Sequence, residues 1–305
     1  MRLRGFVVTA LTVCTLLVFT ACGPDFAESG NAVIDAEEAV ELIGANDVVW
    51  VDGQAGNFYQ MEHVEGAVNI ARADITVGEP YPNMVGSKAQ IEKVLSEAGV
   101  EKDSTLVMYD SNKNMDAGRL WWTFAAYGHP EDKLKVVSGG LSALTRAGAP
   151  LSNEKVSISK TNYSASEFDG SMLATLEDVK AQVDDPAEDT VIIDTRTTEE
   201  WNEGTIPGSV HLNFEGNNFS DNTYRPVDQI RIRYLEEEIN PDQTIITFCK
   251  SSIRAAQTYV VLYNAGYRNL KIYDGAWLEW SSKPSLPVQK PETGGQPVPT
   301  MQDGS

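Results

Sequence analysis

The sequence predicts an α/β fold with two domains, each a parallel sheet flanked by helices. A chain of 305 residues with 42% hydrophobic composition is long enough for two domains that each bury their own core. Short, nearly continuous apolar runs alternate with amphipathic stretches along the chain, which is typical of parallel strands covered on both faces by helices. This alternation occurs twice, which indicates a duplicated domain.

The duplication is visible in two separate blocks. Residues 51–70 align without a gap on residues 193–212, and the alignment matches Asp52 with Asp194. TLVMYD, residues 105–110, aligns in the same way with TIITFC, residues 244–249. The repeat is about 140 residues long, which fits a duplicated domain and excludes a solenoid of short repeats.

The apolar runs and the amphipathic stretches predict the elements in chain order. In the first copy the strands are DVVWVD, TLVMYD and KLKVV, and the helices include AEEAVELIG and SKAQIEKVLSEAG. In the second copy the strands are DTVIID, TIITFC and NLKIY, and the helices include LEDVKAQV and AAQTYVVLYNAG. The predicted organisation is a domain at 32–150, a linker at 151–171, a domain at 172–283 and a disordered tail at 284–305.

Residues 1–22 have the pattern of a bacterial lipoprotein signal. Two arginines precede an apolar stretch, residues 5–19, that is too short to span a bilayer stably, and Cys22 follows. A lipid on Cys22 would hold an exported protein on a membrane of the cell envelope, facing the periplasm or the outer surface. The alternatives are a plain signal peptide cleaved near Ala21 and an uncleaved anchor.

The charge balance bears on the class of partner. The chain carries 44 acidic residues against 24 basic ones, and removal of the signal would take away two arginines and no acid. Such an acidic surface disfavours nucleic acid as a partner.

The cysteines give the first indication of chemistry. Cys14 would leave with the signal and Cys22 would be consumed by lipid, so Cys249 is the remaining cysteine of the folded part. A solitary cysteine in an exported protein is either buried and inert or kept for its reactivity.

The surroundings of Cys249 favour reactivity. Cys249 ends an apolar strand, and Lys-Ser-Ser-Ile-Arg leads from it into a helical pattern. If residues 250–254 wrap from strand to helix, the N–H groups of the loop and of the first helical turn converge on the sulfur and favour an anion there. A thiolate without a histidine base is a nucleophile suited to sulfur. The competing interpretation is a small hydrophobic residue at a strand end.

With these residues in view, the chain resembles the tandem-domain rhodaneses, a family of sulfurtransferases. The resemblance covers residues 32–282. Its second half carries a C-x4-R loop, from Cys249 to Arg254, together with IIDTR, GTIPGSVHLNF and AGYRNLKIYDGAWLEW. Its first half carries HVEGAVNI and GRLWWTFAAYGH.

The resemblance implies that Cys249 takes sulfane sulfur from a donor such as thiosulfate and holds it as a persulfide. The sulfur then passes to a thiophilic acceptor such as cyanide or a thiol. Arg254 would cap the loop or help to hold the anion, and Lys250 would neutralise the donor. The donor-binding residues implied in this way are Lys250, Ser251, Ser252, Ile253 and Arg254.

The resemblance also assigns roles outside the loop. The first domain has Asp110 where the second has Cys249, and a carboxylate cannot carry a persulfide, so the first domain is expected to be an inactive wall of the cleft. Asp194 and Arg196 are expected to support the site, and a local structural pair is the favoured interpretation of both.

Two departures from the family's pattern affect the donor. Glu200 stands where relatives acting on thiosulfate or mercaptopyruvate often have an arginine, which disfavours mercaptopyruvate. Lys250 is followed by Ser251, whereas the thiosulfate type has two adjacent cations after the cysteine. Thiosulfate remains the favoured donor.

Two other functions compete with this one. Cysteine phosphatases that share the fold need a C-x5-R loop to enclose phosphate, and this loop is one residue shorter. A non-enzymatic module that carries persulfide or binds a partner at the cell envelope is the alternative from another class. The scattered histidines and cysteines do not predict a metal site, and the sequence suggests no organic cofactor.

Overall fold

The apolar runs form the central strands of two parallel sheets in the computed structural model, which describes residues 24–291. The two sheets have five strands each and are flanked by helices, so the predicted fold class is confirmed. The predicted lipidation site, Cys22, lies outside the described residues.

The elements of the first domain are β1 (Val33–Ile34), α1 (Ala36–Val40), β2 (Val48–Asp52), α2 (Gly56–Tyr59), β3 (His63–Val64), β4 (Val68–Asn69), α3 (Arg72–Ile75), β5 (Thr76–Val77), β6 (Met84–Val85), α4 (Lys88–Glu97), β7 (Thr105–Tyr109), α5 (Met115–Ala126), β8 (Leu134–Val137), α6 (Gly140–Arg146) and β9 (Leu151–Ser152). Those of the second are β10 (Leu173–Ala174), α7 (Leu176–Asp184), β11 (Thr190–Asp194), α8 (Thr198–Glu203), β12 (Val210–His211), α9 (Val227–Leu235), β13 (Thr244–Phe248), α10 (Ile253–Asn264), β14 (Leu270–Tyr273) and α11 (Ala276–Ser281). Short 3-10 turns occupy Glu131–Lys133, Gly170–Met172 and Phe214–Asn217.

The two sheets have the same strand order. It is β1-β8-β7-β2-β4 in the first domain and β10-β14-β13-β11-β12 in the second, and neighbouring strands are parallel throughout. The central strands β7 and β13 are buried along nearly their whole length, as their apolar sequences predict. Corresponding strand ends therefore lie at corresponding edges of the two sheets.

The domains pack on each other through two equivalent helices, α5 and α10. Both have 12 residues, and both are buried over most of their length. Trp121 of α5 packs on Tyr263 of α10 with ring centroids 4.8 Å apart. Gly118 allows the close approach, since a Cβ at that position would lie 2.9 Å from the Gln257 Cα.

The chain enters the first domain from the surface of the second. Phe26 packs edge-on against Tyr267 at 5.3 Å, and the Ala27 N–H donates to the Gly266 carbonyl O at 3.1 Å. The Asn264 side chain then accepts the N–H groups of two residues at the start of β1. Both domains thus hold the beginning of the described chain.

The segment expected to be a linker lies along the first domain. Its first residues form β9, which pairs antiparallel with β3. Further on, Tyr163 is buried with its hydroxyl 3.0 Å from His129 Nδ1. The segment therefore packs against the domain that precedes it.

The tail differs from the sequence-based expectation. We expected residues 284–305 to be disordered, but the part that the structure describes, residues 284–291, lies against the second domain. Gln289 and Thr205 exchange two backbone hydrogen bonds, of 2.8 and 2.9 Å. The Pro287 carbonyl also accepts the indole N–H of Trp280 at 2.8 Å. The proline-rich composition of the tail gave no sign of these hydrogen bonds.

No helix within residues 24–291 is both long and apolar enough to cross a membrane.

Candidate active site

Cys249 lies at the edge of the second sheet where the parallel strands end. It follows β13 directly, and Phe248 pairs in register with Asp194, so β11 and β13 end at the same level. The Cys249 side chain is only 1% exposed and forms no disulfide. Ligands of open α/β sheets bind at this edge.

The loop after Cys249 is fastened to the neighbouring strand and helix. Ser252 turns the chain into α10 with a φ of 68°, and its Oγ donates to the Asp274 carbonyl O at 2.6 Å. The Cys249 carbonyl O accepts the N–H of Trp277 at 3.0 Å. This bond turns the Cys249 carbonyl toward α11, the helix that begins at Ala276.

The equivalent loop of the first domain shows what the N–H groups of such a loop can do. Asp110 stands in the place of Cys249 and is buried. Its Oδ1 accepts the N–H groups of Asn112 at 2.7 Å and Asn114 at 3.0 Å, and its Oδ2 accepts that of Ala117 at 2.8 Å. The first-domain loop therefore holds a carboxyl group in a ring of three backbone N–H groups.

The first-domain loop carries different charged groups from the loop of the second domain. Burial and the charge of Asp116 raise the pKa of Asp110 to about 6, although three backbone N–H groups oppose that rise. Asp116 is the first-turn residue equivalent to Arg254, and it forms an ion pair with Arg72 at 2.7 Å. The loop therefore has carboxylates at both positions where the second domain has a thiol and a guanidinium.

Arg254 is held by Glu200 in a two-pronged ion pair. Its Nη2 donates to Glu200 Oε1 at 2.9 Å, and its Nη1 donates to the other carboxylate oxygen. The hydrogen bond from Arg254 lowers the pKa of Glu200 to about 2, against the effect of burial. Burial works against the charge of Arg254 as well, yet its hydrogen bonds and electrostatic interactions with Glu200 and Cys249 keep its pKa above the ordinary value. Arg254 thus faces the sulfur of Cys249 with much of its positive charge balanced by Glu200.

The other loop residues fall into two groups. Lys250 is exposed, and Ser251 is half-buried with its Oγ accepting the side-chain N–H of Asn83 at 2.8 Å. Ser252 and Ile253 are buried. The Ser252 hydroxyl, which we expected to help bind the donor, is engaged by the Asp274 carbonyl, so Ser252 and Ile253 have only backbone N–H groups to offer an anion.

Asp194 and Arg196 form a buried pair beside the loop. Arg196 Nη2 lies 2.6 Å from Asp194 Oδ2, and it also donates to the Gly204 carbonyl O at 2.6 Å. The guanidinium rests 4.4 Å from the centre of the Trp277 ring, and the Thr205 hydroxyl donates to Asp194 at 2.7 Å. These contacts turn the polar groups of the pair to the protein.

The histidines of the described chain are bonded elsewhere. His63 bonds the Tyr59 carbonyl, His129 the Ser104 carbonyl and His211 the Arg196 carbonyl. Burial lowers the pKa of His129 to about 4, so that its ring is neutral at neutral pH. Within residues 24–291 no histidine is hydrogen-bonded to Cys249.

Sequence reasoning missed two residues that meet the loop. In the sequence Glu200 was noted only for the arginine that it replaces. Its acidic side chain, in the first turn of α8, was the available signal for an ion pair with Arg254. Asn83 lies in the other domain, 168 residues from Ser251, and no local pattern signals its contact.

The second domain thus combines an α/β sheet with a free cysteine at the carboxyl edge, in a strand-to-helix loop that leads to an arginine. The family model described as "Rhodanese-like domain" matches residues 35–147 and again residues 175–283. The chain therefore belongs to the rhodanese family and carries two of its domains.

Similar proteins extend this assignment. The chain is 27% identical over 278 residues to "Putative thiosulfate sulfurtransferase 1" of Mycobacterium bovis, covering 85% of this chain and 98% of that protein. It is 27% identical over 248 residues to "Putative thiosulfate sulfurtransferase" of Haloferax volcanii, covering 76% of this chain and 85% of that one. These relatives support a rhodanese-type sulfurtransferase.

The fold also occurs in solved structures. An anaerobic ergothioneine biosynthesis enzyme from Chlorobium limicola, solved in complex with trimethyl histidine, superposes with a TM-score of 0.76. The match covers 87% of this chain and 72% of that chain, at 20% identity. This similarity concerns the fold.

Proposed function

We propose that the protein transfers sulfane sulfur from thiosulfate to a thiophilic acceptor, cyanide or a thiol, through a persulfide on Cys249. The position of Cys249 carries the proposal: a free thiol at the carboxyl edge of the sheet, in a loop whose duplicate holds an anion on backbone N–H groups. The names of the relatives support thiosulfate as the donor.

The first half-reaction loads the sulfur. The Cys249 thiolate attacks the outer sulfur of thiosulfate, the new S–S bond forms, and the old S–S bond breaks with its electron pair leaving on sulfite. Backbone N–H groups would stabilise the negative charge on the resulting persulfide. The exposed Lys250 would offset the charge of the incoming dianion.

The second half-reaction unloads the sulfur. Cyanide attacks the terminal sulfur through carbon, the persulfide bond breaks, and its electron pair returns to Cys249 as thiolate while thiocyanate leaves. A thiol acceptor, attacking as thiolate, would leave as a persulfide instead. Neither half-reaction needs an external oxidant or reductant.

Mass spectrometry of the Cys249 peptide before and after thiosulfate, alongside thiocyanate formation with cyanide, tests the proposal. We expect the gain of one sulfur on Cys249 in the wild type, and loss of both sulfur uptake and turnover in Cys249→Ser. Thiocyanate formation that survives in Cys249→Ser would contradict it. A wild type that takes up no sulfur would turn attention to the carrier alternative.

We propose in addition that the protein is exported and lipid-anchored through Cys22 in the cell envelope. The support is the signal-like pattern of residues 1–22. Cys22→Ser should move the protein out of the membrane fraction and abolish incorporation of labelled fatty acid. Equal membrane association of both forms would favour an uncleaved anchor.

A further inference from the structure

A hairpin of the first domain covers the catalytic loop of the second. This cover hairpin comprises residues 76–85, with β5 and β6 as its strands. Near its end Asn83 has a φ of 66°, a left-handed conformation that asparagine tolerates. From there the Asn83 side chain donates to Ser251 Oγ at 2.8 Å. A residue of the inactive domain thus contacts the loop that carries Cys249.

The backbone around Asn83 is fixed by a buried ion pair between the domains. The Asn83 carbonyl O accepts from Arg119 Nη2 at 2.9 Å, and the same nitrogen lies 2.8 Å from Asp274 Oδ1. The other oxygen of Asp274 accepts the N–H of Val85 at 2.7 Å. Arg119 and Asp274 are almost completely buried.

The same ion pair reaches the catalytic loop. The carbonyl of Asp274 accepts the Ser252 hydroxyl, so one residue holds both the cover hairpin and the loop. This shared support ties the position of Asn83 in the cover hairpin to the position of Ser251 in the loop.

The direction of the hydrogen bond decides what Ser251 can do. The amide nitrogen of Asn83 can only donate, so the Ser251 oxygen accepts and its hydrogen is left to donate. No residue of the described chain takes that hydrogen in a hydrogen bond. Ser251 is half-buried and lies two positions after Cys249. The Ser251 hydroxyl thereby keeps a hydrogen to donate, in the loop that carries Cys249.

A neutral hydrogen-bond donor such as the Ser251 hydroxyl matters at this site because the positive charge of the nearby Arg254 is largely balanced. Arg254 is engaged by both oxygens of Glu200, and Lys250 extends into solvent. An anionic sulfur donor would therefore depend on hydrogen bonds from the loop to a greater degree than on a free guanidinium.

We propose that Asn83 is a positioning residue. Its side chain orients the Ser251 hydroxyl so that this hydroxyl donates a hydrogen bond to the anionic substrate that supplies sulfur to Cys249. The proposal rests on the sulfurtransferase function proposed above. The inactive domain then contributes to donor recognition through one side chain, in addition to its packing role.

Four variants separate this role from simple packing. Asn83→Gly removes the amide and keeps the left-handed backbone, while Asn83→Asp keeps the shape and offers an acceptor to the Ser251 hydrogen. Ser251→Ala removes the hydroxyl, and the double variant Asn83→Gly/Ser251→Ala tests whether the two residues act as one. Asn222→Gly is the matched control, because Asn222 is also left-handed and touches the inactive loop through its backbone carbonyl.

Two readouts are compared for each variant. One is the KM and kcat for thiosulfate. The other is the ratio of Cys249 alkylation rates with iodoacetate, which is anionic, and iodoacetamide, which is neutral, followed on the Cys249 peptide by mass spectrometry. In both alkylations the thiolate forms a C–S bond and iodide leaves. This ratio reports anion recruitment whether or not sulfur is transferred.

In Asn83→Gly we expect the iodoacetate to iodoacetamide ratio to fall roughly five-fold and the KM to rise by a similar factor, with kcat and the unfolding temperature little changed. Asn83→Asp should lower the ratio further, and Asn222→Gly should match the wild type. In the Ser251→Ala background, Asn83→Gly should have no additional effect.

An unchanged ratio in Asn83→Gly, or an equal fall in the Ser251→Ala background, would overturn the role of Asn83. Should the wild type take no sulfur from thiosulfate, the sulfurtransferase proposal fails, and the alkylation ratio still decides whether Asn83 acts through Ser251.

Discussion

Glu200 illustrates how one residue can set the charge of a site without touching the sulfur. Its carboxylate binds Arg254 through both oxygens and also accepts the N–H of Thr197, the residue that caps α8. The same side chain therefore begins a helix and restrains the cation of the catalytic loop. Replacing it should alter the charge that a donor meets.

Glu200→Gln should lower the KM for thiosulfate roughly three- to ten-fold, because Arg254 would keep its full charge for the dianion. The iodoacetate to iodoacetamide ratio at Cys249 should rise with it. Arg254 holds the pKa of Glu200 near 2, so the difference between wild type and variant should persist at every pH above about 4.

The control for this prediction is Glu199→Gln, which removes the same formal charge from the neighbouring exposed position of α8. It should leave the KM for thiosulfate close to the wild-type value. A similar fall in both variants would mean that overall charge, and not release of Arg254, is responsible.

The duplicated strand-to-helix loops show how the same element acquired different chemistry. The loop from Asp110 to the helix cap Asn114 is one residue longer than the loop from Cys249 to the helix cap Ser252. Both caps are left-handed, and both helices that follow have 12 residues. The difference between these two strand-to-helix elements thus lies in the loop and in the side chains that line it.

Asp110→Cys, made together with Cys249→Ser, should not restore activity. The introduced thiol would lie beside Asp116 in place of an arginine, and a carboxylate repels an anionic donor. No sulfur should appear on the introduced cysteine after thiosulfate, and no thiocyanate should form. Sulfur uptake at position 110 would show that the ring of backbone N–H groups alone suffices.

The sequence predicted the elements that depend on local pattern. The central strands β2, β7, β8, β11, β13 and β14 follow from continuous apolar runs, and α4, α7 and α10 follow from helical periodicity. The edge strands β1 and β10 have two residues each, too few to show a period. The placement of Cys249 at a strand end was predictable for the same local reason, whereas its neighbours Asn83 and Glu200 arise from contacts between distant segments.

At the scale of the whole molecule, each domain covers the loop of the other. The cover hairpin lies on the catalytic loop, and residues 213–225 of the second domain lie on the loop of Asp110. There Lys113 forms an ion pair with Glu215, and the Asn114 side chain donates to the Asn222 carbonyl O at 2.8 Å. This reciprocal arrangement requires the two domains to be closely docked.

Gly118→Ala should weaken that docking. The added Cβ would lie 2.9 Å from the Gln257 Cα, a backbone atom that cannot turn aside. Overpacking costs about 1–3 kcal/mol, and the higher helix propensity of alanine offsets roughly 1 kcal/mol of it, so we expect a net loss of up to about 2 kcal/mol in the free energy of unfolding. Calorimetry should show a lower unfolding temperature.

Gly170→Ala serves as the comparison for this substitution, because no atom lies within 4 Å of a Cβ at that position. It should leave the unfolding temperature nearly unchanged. A Gly118→Ala protein as stable as the wild type would mean that α5 and α10 can separate slightly without cost.

The attachment of Phe26 to Tyr267 bears on how the molecule would stand on a bilayer. Phe26 is four residues beyond Cys22, so its Cα would lie within about 14 Å of the Cα of a lipid-bearing Cys22. Tyr267 follows the end of α10 and Cys249 precedes its beginning, and 12 helical residues span about 18 Å. Cys249 would then lie at the end of α10 that is remote from the lipid, on the side of the molecule nearer to water-soluble donors and acceptors.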